Sequence, residues 1–324
     1  MNSKASWTSL ATLVLLMALG QMVHAAENPV TIDETRQVSA NERIEIEVMR
    51  GQVVIRTGTD NTFRVSGTLD ELAEGYELRS GNGFTFFEVQ MPRNIRNNGS
   101  RREQESDLVF VVPANSNVSY SGVNADVNID GITGGSDVTT VNGDITAANL
   151  SEYIELRTVN GAIDSRNNRG RIDLHTVNGE VRDAGSDGRI SYGAVNGDLD
   201  IDSAAQEVEI SVVNGSVRAD LRGTDELDLN SVNGDIDVIL VDVSSPRISG
   251  STVSGDITLT LPSDVNARFS MQSIAGGSII NNITDDEVVR ARFGPARNLD
   301  FSTGEGVGTV ELSSVSGRLE LNAN

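Results

Sequence analysis

Residues 141–217 read VNGDITAANLSEYIELRT, VNGAIDSRNNRGRIDLHT, VNGEVRDAGSDGRISYGA, VNGDLDIDSAAQEVEISV and VNGSV. The Val-Asn-Gly triplet returns every 18 residues, with its glycine at Gly143, Gly161, Gly179, Gly197 and Gly215. The beat then lengthens, to Gly234 after 19 residues and to Gly255, now in Val-Ser-Gly, after 21. A fixed period of this size is the mark of a repeat architecture in which each turn of chain stacks on the last. Four apolar columns emerge when the units are aligned. One lies two residues before the glycine (Val123, Val141, Val159, Val177, Val195, Val213, Val232, Val253) and one two residues after it (Val127, Ile145, Ile163, Val181, Leu199, Val217, Ile236, Ile257). The other two run through Ile154, Ile172, Ile190 and Val208, and through Leu156, Leu174, Tyr192 and Ile210. Residues two apart on a strand share a face, so the pattern predicts two walls that present these columns to a common core. β-branched residues dominate them, which favours strands.

The expectation is therefore an all-β, single-domain parallel β-solenoid, β-helix-like or β-roll-like, with coils of about 18–21 residues. At about 4.8 Å per coil, ten or more coils make a rod on the order of 50 Å long. A leucine-rich repeat fits worse, because it needs several leucines per unit. Glycine's tolerance of positive φ would let the chain turn between walls. The asparagines Asn124, Asn142, Asn160, Asn178, Asn196, Asn214 and Asn233 form a column whose amides can bond from coil to coil.

Outward from the repeat, residues 1–25 have the order of a secretory signal peptide: Lys4, the apolar run Leu10–Leu19, then Val23-His24-Ala25. Residues 26–113 alternate with period two, as in Arg43-Ile44-Glu45-Ile46-Glu47-Val48, and read as an N-terminal β cap with irregular opening coils. Phe84, Phe86 and Phe87 form the one dense aromatic cluster and are assigned to the core of that cap. The stretch Pro92 to Glu105 reads as a loop. Residues 114–324 hold the repeat, with Ile274-Ala275-Gly276 and Val315-Ser316-Gly317 as late markers and Leu312 to Leu321 as a closing, capping coil.

Composition narrows the function. The chain holds no cysteine, and export without disulfides suits a bacterial envelope, periplasm or outer surface. Its formal charge is -22, and Lys4 is its only lysine, so loss of residues 1–25 leaves about -23. Such a surface repels nucleic acid and anionic membranes. No second apolar stretch is long enough to span a bilayer. His175, read as a satisfied surface histidine at a turn, has no cysteine or second histidine to join it after cleavage, which removes the usual zinc and iron sites. Asp144, Glu180, Asp198, Asp235 and Asp256 follow the marker glycines, and Asp164, Asp200 and Asp237 interleave with Arg182 and Arg218. They read as outward ladders of alternating charge, each pair worth little. No catalytic, cofactor-binding or metal-binding residue is assigned. Calcium at the Gly-Asp turns is the open metal option, though the nonapeptide of calcium-binding β-rolls is missing.

The opening turn Met49-Arg50-Gly51-Gln52-Val53, the segment Phe110-Val111-Val112-Pro113-Ala114, the run of Val-Asn-Gly-Asp-Ile units and Leu261-Pro262-Ser263-Asp264-Val265-Asn266-Ala267 together resemble the bacterial putative-adhesin family. The resemblance covers nearly all of the chain after residue 25. It implies an exported envelope β-solenoid and supplies no catalytic residues. Some members of that family accompany membrane-associated regulatory proteins, and the lack of a transmembrane helix here separates the chain from those. The expected function is an exported, non-enzymatic binding or adhesin-like protein whose partner is an unidentified envelope or surface component. A periplasmic structural scaffold and a carboxylate-based polysaccharide-processing enzyme are the alternatives, and the oligomeric state is not readable from the repeat.

Overall fold

The computed structural model describes residues 30–93 and 104–324; the signal peptide expected over residues 1–25 and most of the expected Pro92–Glu105 loop lie outside them. The described chain is all β, with strands of 2 to 14 residues. They stack as two walls. Wall A carries the strands that follow the marker glycine, such as Ile163–Arg166, and wall B the strands that precede it, such as Arg169–Thr176. Pairing along both walls is parallel, and its register equals the sequence period. On wall A, Ile145 pairs with Ile163, Ile163 with Val181, Val181 with Leu199 and Leu199 with Val217. On wall B, Ile154 pairs with Ile172, Ile172 with Ile190 and Ile190 with Val208. About a dozen coils result, a β-solenoid roughly 55 Å long at the ordinary strand spacing.

Three of the four expected columns face the core. Val127 to Ile257, Ile154 to Val208 and Leu156 to Ile210 are all buried. The valine column before the glycine is not. Val123, Val159, Val177, Val195, Val213, Val232 and Val253 are exposed. Alternation gives the reason. Ile172, Leu174 and Thr176 point inward along Arg169–Thr176, so Val177 is the next outward position. The fourth inner column lies four residues after the glycine: Ala147, Ser165, Asp183, Ile201, Ala219, Val238 and Leu259 are all buried. Small and polar members hid it from a hydrophobicity count.

The marker glycines also act differently from expectation. Gly143, Gly161, Gly179, Gly197 and Gly215 are absent from the positive-φ residues. They are glycine because coils touch there: a Cβ on Gly179 would sit 1.8 Å from the Gly161 carbonyl oxygen, and one on Gly197 1.7 Å from that of Gly179. Thr158 and Thr176 cap the same contact, donating to the carbonyls of Gly143 at 3.0 Å and Gly161 at 3.2 Å. The asparagine ladder forms as expected, from Asn142 Nδ2 to Asn124 Oδ1 at 2.7 Å up to Asn233 Nδ2 to Asn214 Oδ1 at 2.9 Å.

Both ends depart from chain order. The strands Gly308–Ser314 and Leu319–Ala323 do not close the rod. They insert between the coil of Arg247–Thr252 and Ile257–Leu261 and the coil of Ala267–Ser273 and Ile279–Asn281. The marker column therefore runs Gly255, Gly317, Gly277, so that Gly277 and not Gly276 occupies the column. Gly276 is a left-handed insertion at φ 99°. At the other end Arg43–Glu47 and Arg50–Gly58 lie between the later coils Phe84–Gln90 with Ser106–Pro113 and Asn117–Ser121 with Asn124–Asp130. Antiparallel strands then cover the ends, with Gly75–Gly81 on Phe84–Gln90, Thr62–Thr68 on Ser106–Pro113, and Arg297–Ser302 on Ala267–Ser273. The N-terminal end is filled by Phe87, whose ring lies 5.1 Å from that of Phe110 and 5.8 Å from Tyr76. Arg50 is tied to the buried Asp70 at 2.9 Å, pinning the excursion between the two coils.

Candidate binding groove on the lateral face

The exposed valines align because each coil is hydrogen-bonded to the next at that corner. Asn160 N donates to Val141 O at 2.7 Å, Asn178 N to Val159 O at 2.8 Å and Asn196 N to Val177 O at 2.7 Å. The result is an apolar stripe running parallel to the rod axis. Beside it, on the outer face of wall B, runs a second column: Arg157, His175, Gly193, Ser211, Asn230 and Ser251. Between the two columns the floor is made by Thr176, Ala194 and Val212. The space enclosed is about 750 Å³, within the range of ligand clefts.

Gly193 shapes the second wall. A Cβ there would lie 2.2 Å from His175 Nδ1, so the imidazole leans over the glycine and narrows the groove at that coil. His175 thus sits in a strand, half-buried, and not at a turn. Burial pushes its pKa below the ordinary value, helped by Arg157 and opposed by Asp173 and Glu209. The ring is held neutral near pH 7, which keeps this part of the rim uncharged. Arg157 is paired with Glu155, and Tyr153 Oη donates to the same carboxylate at 2.7 Å.

Four of the acids singled out in the sequence, Asp144, Asp198, Asp235 and Asp256, accept hydrogen bonds from backbone donors. Asp144 Oδ1 accepts Ala162 N–H at 2.8 Å, Asp198 Oδ1 accepts Ser216 N–H at 2.8 Å, and Asp235 Oδ1 accepts Asp256 N–H at 3.0 Å. Each carboxylate therefore satisfies a backbone donor on the following coil at the turn. Asp164 faces Arg166 at 3.6 Å, and Glu180 pairs with Arg182. Cross-coil ion pairs join Asp256 to Arg318 at 2.9 Å and, away from these acids, Arg189 to Glu207 at 2.6 Å. Among the described residues no group of three or more His, Cys, Asp or Glu side chains converges on a metal-sized site, and no helix is long and apolar enough to cross a membrane.

A buried polar cluster escaped the sequence reading. Asp183 is buried in wall A and accepts Ser186 Oγ–H at 2.6 Å and Tyr192 Oη–H at 2.8 Å. Burial pushes its carboxyl pKa up, and the hydrogen bonds from Ser165, Ser186 and Tyr192 hold it back. Tyr192 replaces the leucine of Leu156 and Leu174 to supply that hydroxyl. The break in the leucine column was the available signal, read only as another apolar residue. The cluster is closed inside the core and has no path to substrate.

No family model matches the chain, and no curated protein matches it. Solved structures do. A protein described as a "putative adhesin" from Parabacteroides merdae is 7% identical, with a TM-score of 0.48 over 91% of this chain and 96% of that one. A second so described, from Bacteroides fragilis, is 12% identical, with a TM-score of 0.34 over 90% and 97%. A "putative cell adhesion protein" from Clostridium sporogenes is 10% identical, with a TM-score of 0.22 over 91% and 100%.

Proposed function

We propose that this chain is an exported, non-enzymatic binding protein of the bacterial envelope, adhesin-like, which captures an apolar segment of a partner along its lateral groove. The observation that carries the reading is the valine stripe. Six exposed valines on successive coils, Val159 to Val253, are a contiguous apolar surface on an otherwise acidic rod, and such patches mark interaction sites. The fold does not require them, since the core is complete without that column. The turn acids are engaged with backbone donors, which leaves a carboxylate enzyme without its facing pair. Antiparallel strands cover wall-B edges at both ends, which favours lateral recognition over end-to-end scaffolding.

The test joins location to the groove. Tagged protein is expected to be digested by added protease on intact bacteria, and Val177→Asp with Val195→Asp is expected to weaken binding of the purified chain to isolated bacterial envelopes at least about tenfold. Protection until the outer membrane is opened would replace surface adhesion with a periplasmic role. Unchanged envelope binding by the double variant would remove the groove from recognition.

A further inference from the structure

The capping strand pair at the C-terminal end carries a tip that the fold does not use. Val289–Arg290 pairs with Asn298 and Arg297, and Ala291 N donates to Ala296 O at 2.9 Å across the turn. Phe293, at the tip, is 86% exposed, and Val289 is 66% exposed. Gly294 takes a left-handed φ of 97° with nothing near its missing side chain, and Pro295 follows. The Arg292 guanidinium lies 5.6 Å over the Phe293 ring. Arg290 and Arg292 are exposed and have no ion-pair partner among the described residues. Phe293 and Val289 therefore leave exposed apolar surface on the capping pair, next to two arginines that carry no ion pair among the described residues.

The groove offers the complementary surface. It is apolar along the valine stripe and bordered at Gly193 by the His175 imidazole. On the outer face of wall B, Glu209 and Asp228 lie one strand position in from Ser211 and Asn230 of its rim. Both are exposed and without an ion-pair partner among the described residues. We propose that the tip of one copy, led by Phe293, seats in the valine groove of a second copy, with Arg290 and Arg292 reaching Glu209 and Asp228. This rests on the groove reading above and names its occupant. The formal charge of -22 on each chain opposes association at long range, but at physiological ionic strength the Debye length of about 8 Å confines that repulsion to the contact, where the charges are complementary. Tip and groove are different patches, so the contact is head-to-side, leaves one tip and one groove free, and propagates as an open chain.

Sedimentation velocity of the signal-free chain from about 1 to about 200 µM, a range suited to a micromolar contact, provides the test. The wild type is expected to grow beyond a dimer with concentration. Phe293→Asp and Val195→Asp are each expected to stay monomeric with unchanged circular dichroism and thermal unfolding. Their equimolar mixture is expected to form a dimer and stop there, because it retains one intact groove and one intact tip. A wild type that stays monomeric throughout, or a Phe293→Asp variant that assembles as the wild type does, overturns the proposal. If the wild type is monomeric while Val177→Asp with Val195→Asp still loses envelope binding, the groove reading stands and its partner is a different molecule. If the wild type is monomeric and Phe293→Asp abolishes cosedimentation with phosphatidylglycerol vesicles, the tip belongs to a lipid surface and the proposal falls.

Discussion

Gly197 is where one missing atom decides how closely two coils approach. Its absent Cβ would lie 1.7 Å from the carbonyl oxygen of Gly179, which is backbone and cannot swing away. Gly197→Ala must therefore prise two hydrogen-bonded coils apart, and a loss of about 3 kcal/mol is expected in urea unfolding. A loss below about 0.5 kcal/mol would mean that the coils are not in contact at the column. Asp183 gives a second prediction, with the opposite sign to an ordinary carboxylate. Its folded pKa is raised above the usual 3.8, chiefly by burial. The folded state therefore favours the protonated acid. The associated stability is fully present below pH 3.8 and is lost as pH rises through the folded pKa. Asp183→Asn keeps an acceptor for Tyr192 and does not ionise. It is expected to gain stability relative to the wild type as pH rises from 4 toward 7, measured as paired urea midpoints across that range. A difference between the two proteins that is flat with pH would show that Asp183 is not desolvated.

At the scale of elements, the out-of-order coil is the feature with the clearest consequence. The strands Gly308–Ser314 and Leu319–Ala323 fill a slot between coils made earlier in the chain. The coil of Ala267–Ser273 and Ile279–Asn281 therefore has no inner neighbour until the last residues arrive. A chain ended after Thr303 is expected to leave residues 262–303 open to protease while the coils up to Leu261 stay resistant. Resistance of that segment equal to the full chain's would contradict the topology. The sequence made the repeat plain, because the 18-residue beat is the register itself, and the buried column through Ile163 is uninterrupted. It could not show the insertion, because Val315-Ser316-Gly317 carries the same marker whether it stacks last or between neighbours. The groove was half legible. Its valines were conspicuous, yet a β-branched column on a repeat reads as core. Only the phase of alternation, fixed by the inward Thr176, turns Val177 outward. Nothing local marks Gly193 as the glycine that His175 covers, since His175 stands 18 residues earlier.

The whole molecule is a rod whose coils are hydrogen-bonded to their neighbours and whose outer surface, among the described residues, carries an apolar seam. Coil-to-coil hydrogen bonds, the asparagine ladder and the turn carboxylates supply cohesion without disulfides, as expected for a stacked array of nearest-neighbour interfaces. The acidic surface opposes non-specific contact between such rods, and the valine seam is where the rod can be held. The absence of any cysteine makes the orientation of that seam directly measurable. Single cysteines are placed at Val177 and, as a control, at Leu174, and their reaction with a water-soluble thiol reagent is timed on the native protein. The account predicts that Val177→Cys reacts nearly as fast as a free thiol, while Leu174→Cys, facing the core, reacts only through unfolding. Equal protection of the two would place the valines inside the solenoid and remove the groove on which the functional reading rests.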